Sequence, residues 1–322
     1  MSSPNEPFRI AILDDYQNVA LSMADWTVLD GLATITVFND HLVDERLVID
    51  RLRNFDIVCV MRERTPMTRT IIENLPHLRL IASTAVANAS IDIDAAQSHG
   101  VQVMHTSYDS TPTIEHTWAL ILASMRNIVS EAESLRSGGW QHQIGSDLAG
   151  QTLGILGLGN IGGAVAKIGA AFGMNVIAWS QNLTRDKAEI KGATLVSKEA
   201  LFREADILTV HLILSRRTRG LVGAAELSLM KRTARLVNTS RGPIVVEADL
   251  ISALRSNVIA GAAVDVFDEE PLPAGHPYRS LSNLLATPHL GYVTRNLYQR
   301  FYTDTVGNIL RWMDNQRRAN SR

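Results

Sequence analysis

Cysteine is almost absent from this sequence: among 322 residues the only one is Cys59. A single thiol cannot form a disulfide within the chain, so a small fold held together by disulfides is excluded. Cys59 stands in the apolar run Ile57–Met61. That run predicts a buried strand in which the thiol is an inert packing residue.

An excess of charge of either sign is also lacking. The sequence has 31 Lys and Arg against 33 Asp and Glu, a net charge of −2, and gives no indication of a nucleic-acid partner. The N-terminal ten residues contain no apolar stretch typical of a secretory signal. The longest apolar helix candidate, Thr117–Val129, is too short to span a bilayer. We therefore expect a cytoplasmic protein with no membrane partner and no metal site.

What is present is a regular alternation of strand-like and helix-like segments. In the first third, apolar runs predict strands at Arg9–Leu13, Thr34–Phe38, Asp56–Met61, Leu78–Ser83 and Val101–Met104, with helices such as Asp44–Arg53 and Ile91–His99. A second series predicts strands at Leu153–Leu156, Asn175–Trp179, Asp206–His211, Arg235–Asn238, Ala262–Val266 and Leu284–Ala286, with helices at Ile161–Phe172, Lys198–Glu204, Ala224–Met230 and Glu247–Leu254. A helical stretch, Pro112–Arg136, joins the series, and Asn296–Asn315 predicts a last helix. Alternation of this kind predicts two α/β units with parallel sheets.

The strongest local motif is a glycine loop, Gly157-Leu158-Gly159-Asn160-Ile161-Gly162. A GxGxxG pattern alone is weak, but this one follows a predicted strand, opens a predicted helix and precedes another strand. Gly157 permits a tight turn, Gly159 lets a pyrophosphate approach the backbone, and Gly162 lets helix and strand pack closely. The helix N-terminus then offers free N–H groups to phosphates. The loop predicts a dinucleotide cofactor.

The residue that would choose between NAD and NADP is not an acid. In dinucleotide folds an acid at the end of the second strand binds the ribose 2′-hydroxyl, and Ser180 occupies that place here. No carboxylate therefore repels a 2′-phosphate. Arg185 is either a phosphate ligand or a solvated loop cation. The sequence permits NADP and leaves NAD open.

Three residues at strand ends have the chemistry for reduction of a 2-oxo acid. Arg241, Glu270 and His289 follow three predicted strands of the second series, at the edge where open α/β sheets bind ligands. Arginine offers a planar fork for a carboxylate. Histidine can deliver a proton near neutral pH, and glutamate can hold the imidazole and stabilise its charged form. Spacing alone does not establish that they converge.

These segments together resemble the D-isomer-specific 2-hydroxyacid dehydrogenases. The resemblance runs from about Leu80 to Trp312 and is carried by Thr113–His116, Leu153–Gly162, Leu229–Lys231, Val237–Gly242, Asp265–Pro271 and Thr287–Gly291. It implies two doubly wound parallel-sheet domains, a Rossmann cofactor domain inserted into a flavodoxin-like substrate domain, with the cofactor in the cleft between them. We place the NAD(P)-binding domain at 107–289 and the discontinuous substrate domain at 1–106 and 290–322. The resemblance also implies a homodimer formed through the connecting helices.

The resemblance assigns roles to individual residues. It places the active-site arginine, acid and acid–base histidine on Arg241, Glu270 and His289. The cofactor positions it implies, besides the three glycines, are Asn160, Ile161, Ser180, Arg185, His211, Thr239, Ser240, Asp265 and Gly291. The substrate positions it implies are Arg62, Ala85 and Val86. The sequence departs from the family pattern at Ala85, where glycine is usual, and at Ile213, where proline is common.

The activity expected is hydride transfer between NAD(P)H and a small 2-oxo acid such as glyoxylate or hydroxypyruvate, giving the D-2-hydroxy acid. An alternative from another class is an NAD(H)-sensing corepressor, because some corepressors resemble this family and keep its catalytic residues. Within the enzyme class, Glu270 disfavours formate, since formate dehydrogenases of the family carry glutamine as the histidine's partner. Phosphoglycerate and phosphite are further alternatives, and phosphite is left open.

Overall fold

The computed structural model describes residues 6–320 and divides into two compact units. One unit comprises Met1–Asp109 together with Thr294–Arg322, and the other comprises Ser110–Val293. Each unit is built around its own parallel sheet. The boundaries of the units lie a few residues after those predicted from the sequence, and the substrate and cofactor roles of the units stay predictions.

The discontinuous unit has a five-stranded parallel sheet in the order β2-β1-β3-β4-β5. Its strands are β1 (Phe8–Ile12), β2 (Ala33–Val37), β3 (Ile57–Val60), β4 (Leu80–Ser83) and β5 (Gln102–His105). Its helices are α1 (Glu45–Leu52), α2 (Arg69–Glu73), α3 (Ile93–Ser98) and α11 (Arg295–Asn320). This strand order is that of flavodoxin-like folds, as predicted.

The continuous unit has a seven-stranded parallel sheet in the order β12-β11-β10-β9-β6-β7-β8. Its strands are β6 (Thr152–Leu156), β7 (Asn175–Trp179), β8 (Thr194–Leu195), β9 (Ile207–Val210), β10 (Arg235–Asn238), β11 (Gly261–Val264) and β12 (Leu284–Ala286). Its helices are α4 (Thr111–Met125), α5 (Ile128–Arg136), α6 (Asn160–Ala171), α7 (Arg185–Ile190), α8 (Lys198–Glu204), α9 (Ala224–Leu229) and α10 (Glu247–Arg255). The strand order reverses between β6 and β9, which is the Rossmann arrangement.

Burial on both faces of the larger sheet explains its long apolar strands. In β9 all four residues are buried, and successive side chains enter two different hydrophobic clusters. Leu208 and Phe202 belong to one cluster, whereas Ile207 and Val165 belong to the other. A sheet covered by helices on both faces needs apolar residues at every position, and this is why the strands read as continuous apolar runs.

The helical stretch predicted over Pro112–Arg136 is helical but interrupted. The structure has two helices there, because Asn127 adopts the left-handed conformation at φ +53° between α4 and α5. Asparagine tolerates this conformation better than most residues, so it can end one helix and begin another. The last helix is longer than predicted and ends at Asn320 instead of Asn315. Over residues 6–320, no helix is long and apolar enough to cross a membrane.

Candidate active site

The glycine loop lies where β6 passes into α6, next to the reversal of strand order. Gly157 has φ +104°, and a Cβ there would lie 2.6 Å from the carbonyl oxygen of His211, the residue that follows the neighbouring strand β9. A Cβ at Gly162 would collide with the carbonyl oxygen of Gly157. Both positions therefore require glycine for the turn and for the close packing of helix against strand.

The space in front of α6 fits a pyrophosphate. Gly159 is the N-cap of the helix, no side chain caps the first turn, and a Cβ at Gly159 would meet no protein atom within 4 Å. The first N–H groups of a helix need an acceptor and carry partial positive charge. Asn160, the first residue of α6, is exposed, and Ile161 is half-buried. An uncapped helix N-terminus facing open space is the arrangement that binds phosphates.

One residue at this loop, Lys191, was missed in the sequence. Its ammonium donates hydrogen bonds to the carbonyl oxygens of Leu158 (2.9 Å) and Gly159 (2.7 Å), and its side chain packs over Gly163. The contact fixes the two loop carbonyls toward Lys191 and adds a positive charge beside the N-terminus of α6. Lys191 is more than 30 residues from the loop, so no local pattern indicates it.

The residues expected near the adenosine ribose lie at the end of β7. Ser180 follows the strand directly and is half-buried, and its carbonyl oxygen accepts a hydrogen bond from the N–H of Leu183. Arg185 is exposed and is the first residue of α7, so it is not a loop residue. The structure places both residues after the second strand of the Rossmann order, where a ribose 2′ group would be recognised.

His211 follows β9 and has a neutral ring. The backbone N–H of His211 donates to the carbonyl oxygen of Leu156, and the ring nitrogen Nε2 lies 2.9 Å from Oγ1 of Thr209. Burial lowers the pKa of His211 to about 3, because the charged imidazolium loses its hydration. A ring that stays neutral at physiological pH does not supply a positive charge or serve as a general acid.

The Arg241 loop follows β10 and packs against the Glu270 loop. The Asn238 side chain donates to the carbonyl oxygen of Arg241 and accepts from the N–H of Ser240, both at 3.0 Å. The guanidinium of Arg241 donates to the carbonyl oxygen of Ser240 at 2.7 Å. A Cβ at Gly242 would collide with the backbone of Phe267, so glycine lets the two loops meet.

Glu270 and His289 form a direct pair. Oε2 of Glu270 lies 2.6 Å from Nδ1 of His289, and its Oε1 accepts a hydrogen bond from the N–H of Phe267 at 3.0 Å. Because a carboxylate can only accept, Nδ1 of His289 carries a proton, and Nε2 is the nitrogen that can give or take one. The side chains are 32% and 21% exposed. Partial desolvation strengthens such a charge-assisted hydrogen bond.

Asp265 is the buried centre of the loop that carries His289. Its Oδ1 accepts from the Thr287 hydroxyl (2.6 Å) and the Leu290 N–H (2.7 Å), and its Oδ2 accepts from the Gly291 N–H (2.7 Å). Asp265 itself is 1% exposed. His289 has φ +52° between these anchored neighbours. Asp265 therefore holds the Thr287 side chain before His289 and the backbone N–H groups of the two residues after it.

Two expected cofactor residues follow β10 immediately. Thr239 is 7% exposed, and its hydroxyl lies 2.8 Å from that of Thr117 on α4. The Ser240 hydroxyl donates to the carbonyl oxygen of Leu212, in the segment that follows β9. Thr239 therefore ties the end of β10 to α4, and Ser240 ties it to the segment that follows β9.

The expected substrate residues Arg62, Ala85 and Val86 lie in the other unit. Arg62 follows β3 with φ +55°, and its N–H donates to the Thr84 hydroxyl at 2.7 Å. Ala85 has φ +67°, and its N–H donates to the Thr106 hydroxyl at 2.7 Å. Val86 is 69% exposed. The left-handed conformation at Ala85 explains why glycine suits this position.

The part of the chain that the structure describes holds no group of His, Cys, Asp or Glu side chains able to bind a metal ion.

Residues 118–291, more than half of the chain, match the family model for the D-isomer specific 2-hydroxyacid dehydrogenase, NAD binding domain. The chain belongs to this family. It is an NAD(P)-linked oxidoreductase, a D-2-hydroxyacid dehydrogenase.

Curated relatives and a solved structure agree with the family. A glyoxylate reductase of Aeropyrum pernix is 42% identical over 250 residues, 74% of this chain and 75% of that protein. A D-3-phosphoglycerate dehydrogenase of Methanocaldococcus jannaschii is 37% identical over 251 residues, 77% of this dehydrogenase but 48% of that protein. The phosphoglycerate oxidoreductase from Vibrio cholerae has a TM-score of 0.91 at 39% identity, covering 96% of this chain and 99% of that one. These names favour an enzyme over the corepressor alternative.

Proposed function

We propose that this dehydrogenase reduces glyoxylate, hydroxypyruvate or a similar small 2-oxo acid, with Arg241, Glu270 and His289 as its catalytic residues. The observation that carries the proposal is the 2.6 Å pair of Glu270 and His289, on the same unit as an uncapped helix N-terminus suited to a pyrophosphate. Relatives named glyoxylate reductase and glyoxylate/hydroxypyruvate reductase, of which this chain covers about three quarters, support the substrate class.

Each catalytic residue has a distinct task. When bound, a reduced nicotinamide cofactor supplies the hydride that the C2 carbonyl accepts. Nε2 of protonated His289 donates a proton to the carbonyl oxygen as negative charge develops there, and Nδ1 keeps its bond to Glu270. The carboxylate of Glu270 stabilises the imidazolium before the transfer and orients the ring throughout. Arg241 binds the carboxylate of the substrate through its planar guanidinium.

For the cofactor, we propose that the enzyme accepts both NADH and NADPH. Ser180 offers a hydroxyl and no negative charge at the end of β7, and Arg185 begins the next helix with an exposed guanidinium. A carboxylate at position 180 would repel a 2′-phosphate. Ser180→Asp is therefore expected to lower kcat/KM with NADPH relative to NADH by about tenfold or more, about 1.4 kcal/mol.

A matched control for Ser180→Asp is Asn182→Asp, because it adds the same charge to an exposed residue of the same segment. The control is expected to change the NADPH to NADH ratio by less than threefold. A native enzyme with no measurable NADPH activity would contradict this proposal.

We further propose a homodimer, as the family resemblance implies. Apolar side chains that are at least half exposed cluster on α5 and in the segment that follows it: Ile128, Val129, Leu135, Trp140 and Ile144. An exposed group of this size is typical of a protein interface. Trp140→Glu is expected to give a monomer in light scattering coupled to size exclusion, and an unchanged dimer mass would contradict the location of the interface.

The experiment that tests the function is a panel of 2-oxo acids assayed for kcat/KM with both cofactors. Glyoxylate and hydroxypyruvate are expected to be the best substrates, and 3-phosphohydroxypyruvate tests the alternative drawn from the phosphoglycerate relatives. His289→Asn serves as the chemical control and is expected to lower kcat by at least 100-fold, within the range for general acid catalysis. A variant that keeps its kcat would show that His289 is not the proton donor.

A further inference from the structure

Helix α4 carries three polar side chains on one buried face. Thr113, His116 and Thr117 are spaced at i, i+3 and i+4, which places them on the same side of a helix. Thr117 is 0% exposed and Thr113 is 8% exposed. Polar groups in such surroundings destabilise the fold unless each has a hydrogen-bond partner. The partners of these three side chains therefore indicate why the residues are polar.

All three contact strand-end loops of the candidate active site. The Thr113 hydroxyl donates to the carbonyl oxygen of Gly291 at 3.1 Å. The Thr117 hydroxyl donates to the carbonyl oxygen of Thr113 and lies 2.8 Å from the hydroxyl of Thr239. His116 lies between these two contacts. One helix face thus holds the loops that carry Arg241 and His289 in fixed relation to each other.

The imidazole of His116 joins the Asp265 network as a donor. Its Nε2 lies 3.1 Å from Oδ1 of Asp265 and 3.1 Å from Oγ1 of Thr287. The one hydroxyl proton of Thr287 is already donated to Asp265, and the carboxylate only accepts. Nε2 of His116 must therefore carry the proton and donate it to both oxygens. Nε2 of His116 is therefore the protonated nitrogen whether the ring is neutral or charged.

We propose that His116 is a positioning residue for the reaction: it holds Thr287 and Asp265 in place, and through them the segment 287–291 that presents His289. The inference rests on the proposed function in one respect, namely that His289 is the proton donor. The segment has a reason to need such support. His289 has φ +52°, a conformation that is unfavourable for a residue with a side chain and persists where the surroundings enforce it.

Two substitutions separate the hydrogen bond from the bulk of the ring. His116→Leu removes the donor, whereas His116→Gln places an amide N–H near the position of Nε2. His99→Asn is the control, because it removes an exposed imidazole from the other unit. Thr287→Val is a second variant that deletes the shared hydroxyl and leaves the imidazole unchanged, so the test does not depend on the folding of His116→Leu alone.

The first measurement needs no cofactor or substrate. The N–H groups of Leu290 and Gly291 both donate to Asp265, so their hydrogen exchange reports how firmly the segment is held. In the protein alone, exchange in a peptide spanning 287–293 is expected to accelerate about tenfold in His116→Leu and in Thr287→Val. It is expected to stay near the native rate in His116→Gln and in His99→Asn.

The second measurement is steady-state kinetics on the same preparations. His116→Leu is expected to lower kcat about tenfold and to change KM for the 2-oxo acid less than threefold, because the proton donor is displaced while substrate contacts remain. His116→Gln is expected to recover most of kcat. A purely structural role would instead lower the melting temperature and would not be rescued by a side chain of different shape.

Several results would overturn the inference. One is unchanged exchange and unchanged kcat in both His116→Leu and Thr287→Val; another is a His116→Gln variant as impaired as His116→Leu. Faster exchange with native kcat would show that the anchor has no bearing on the reaction. If His289→Asn keeps full activity, both the proposed function and the catalytic part of this inference fail. If exchange is unchanged in His116→Leu and Thr287→Val, this inference fails and the proposed function stands.

Discussion

Gly159→Ala should separate cofactor binding from folding. Gly159 has φ −77°, and an added Cβ would meet no atom of the surrounding residues within 4 Å, so a methyl group there enters open space. Replacing glycine by alanine at a compatible position stabilises a protein by about 0.4–1 kcal/mol, because the unfolded chain loses conformational freedom. The methyl group would, however, occupy the open space in front of α6 that we assign to the pyrophosphate.

The magnitude follows from the hydrogen bonds that a displaced phosphate would lose. A hydrogen bond to a charged group contributes about 1.5–3 kcal/mol. Loss of one such bond weakens binding by about 10- to 100-fold, since each 1.4 kcal/mol is a factor of ten. Gly162→Ala should behave in the opposite way. Its Cβ would collide with the carbonyl oxygen of Gly157 and approach Cγ2 of Ile155 to 3.1 Å, which destabilises the fold by about 1–3 kcal/mol.

The assay is a fluorescence titration with NADH together with thermal unfolding of the same sample. Gly307→Ala is the matched control: this helical glycine of α11 also has nothing within 4 Å of an added Cβ, and it lies in the other unit. It is expected to keep or raise the melting temperature and to leave NADH affinity unchanged. If Gly159→Ala binds NADH as tightly as the native enzyme, the placement of the pyrophosphate at α6 is refuted.

Four further predictions rest on single residues. Arg241→Lys keeps the charge but loses the fork. The loss of transition-state stabilisation, obtained from the fall in kcat/KM, should be about 2–4 kcal/mol at an unchanged melting temperature. Lost stability with a native kcat would instead identify a structural residue. Glu270→Gln should lower kcat by about 10- to 100-fold with native NADH affinity, and a native kcat would show that the pair with His289 is dispensable. Burial lowers the pKa of His211 to about 3 from 6.5, so acidification protonates the unfolded chain first. Between pH 6.5 and 4.5 the free energy of unfolding should therefore fall by about 2 kcal/mol, and urea titrations should not find this fall in His211→Asn. Burial raises the pKa of Cys59 to about 12, so a thiol reagent at pH 8 should label it only after unfolding, and rapid labelling of the native enzyme would contradict this.

The strands could be predicted from the sequence because their pattern is local. Three of them, Asn175–Trp179, Arg235–Asn238 and Leu284–Ala286, have the bounds that their apolar and β-branched runs indicated. The rule that ligands bind beyond the carboxyl ends of parallel strands then placed Arg241 and His289 at one edge of one sheet. Alternation of strands and helices thus determines where side chains of the site come from, even before their contacts are known.

The contacts themselves depend on residues far apart in the chain. Lys191 reaches the carbonyl oxygens of Leu158 and Gly159 across 33 and 32 residues, and His116 reaches Asp265 across 149. No local periodicity indicates such pairs, because a lysine in a turn and a histidine on a helix are ordinary residues there. The break between α4 and α5 escaped prediction for a similar reason, since Asn127 adopts φ +53° without any glycine or proline nearby.

The backbone supports the choice of site residues by a route independent of their chemistry. Within residues 6–320, seven residues other than glycine have a positive φ, and four of them are Asn or Asp, which adopt this conformation readily. The other three are Arg62, Ala85 and His289, and each was selected from the sequence as a substrate or catalytic residue. Strained backbone of this kind is retained where the surrounding structure enforces it and concentrates at functional sites. Hydrogen bonds hold the backbone at each of these three places. The N–H of Arg62 donates to Thr84, that of Ala85 donates to Thr106, and those of the two residues after His289 donate to Asp265. The fold therefore fixes the direction of three side chains that a relaxed loop would not present.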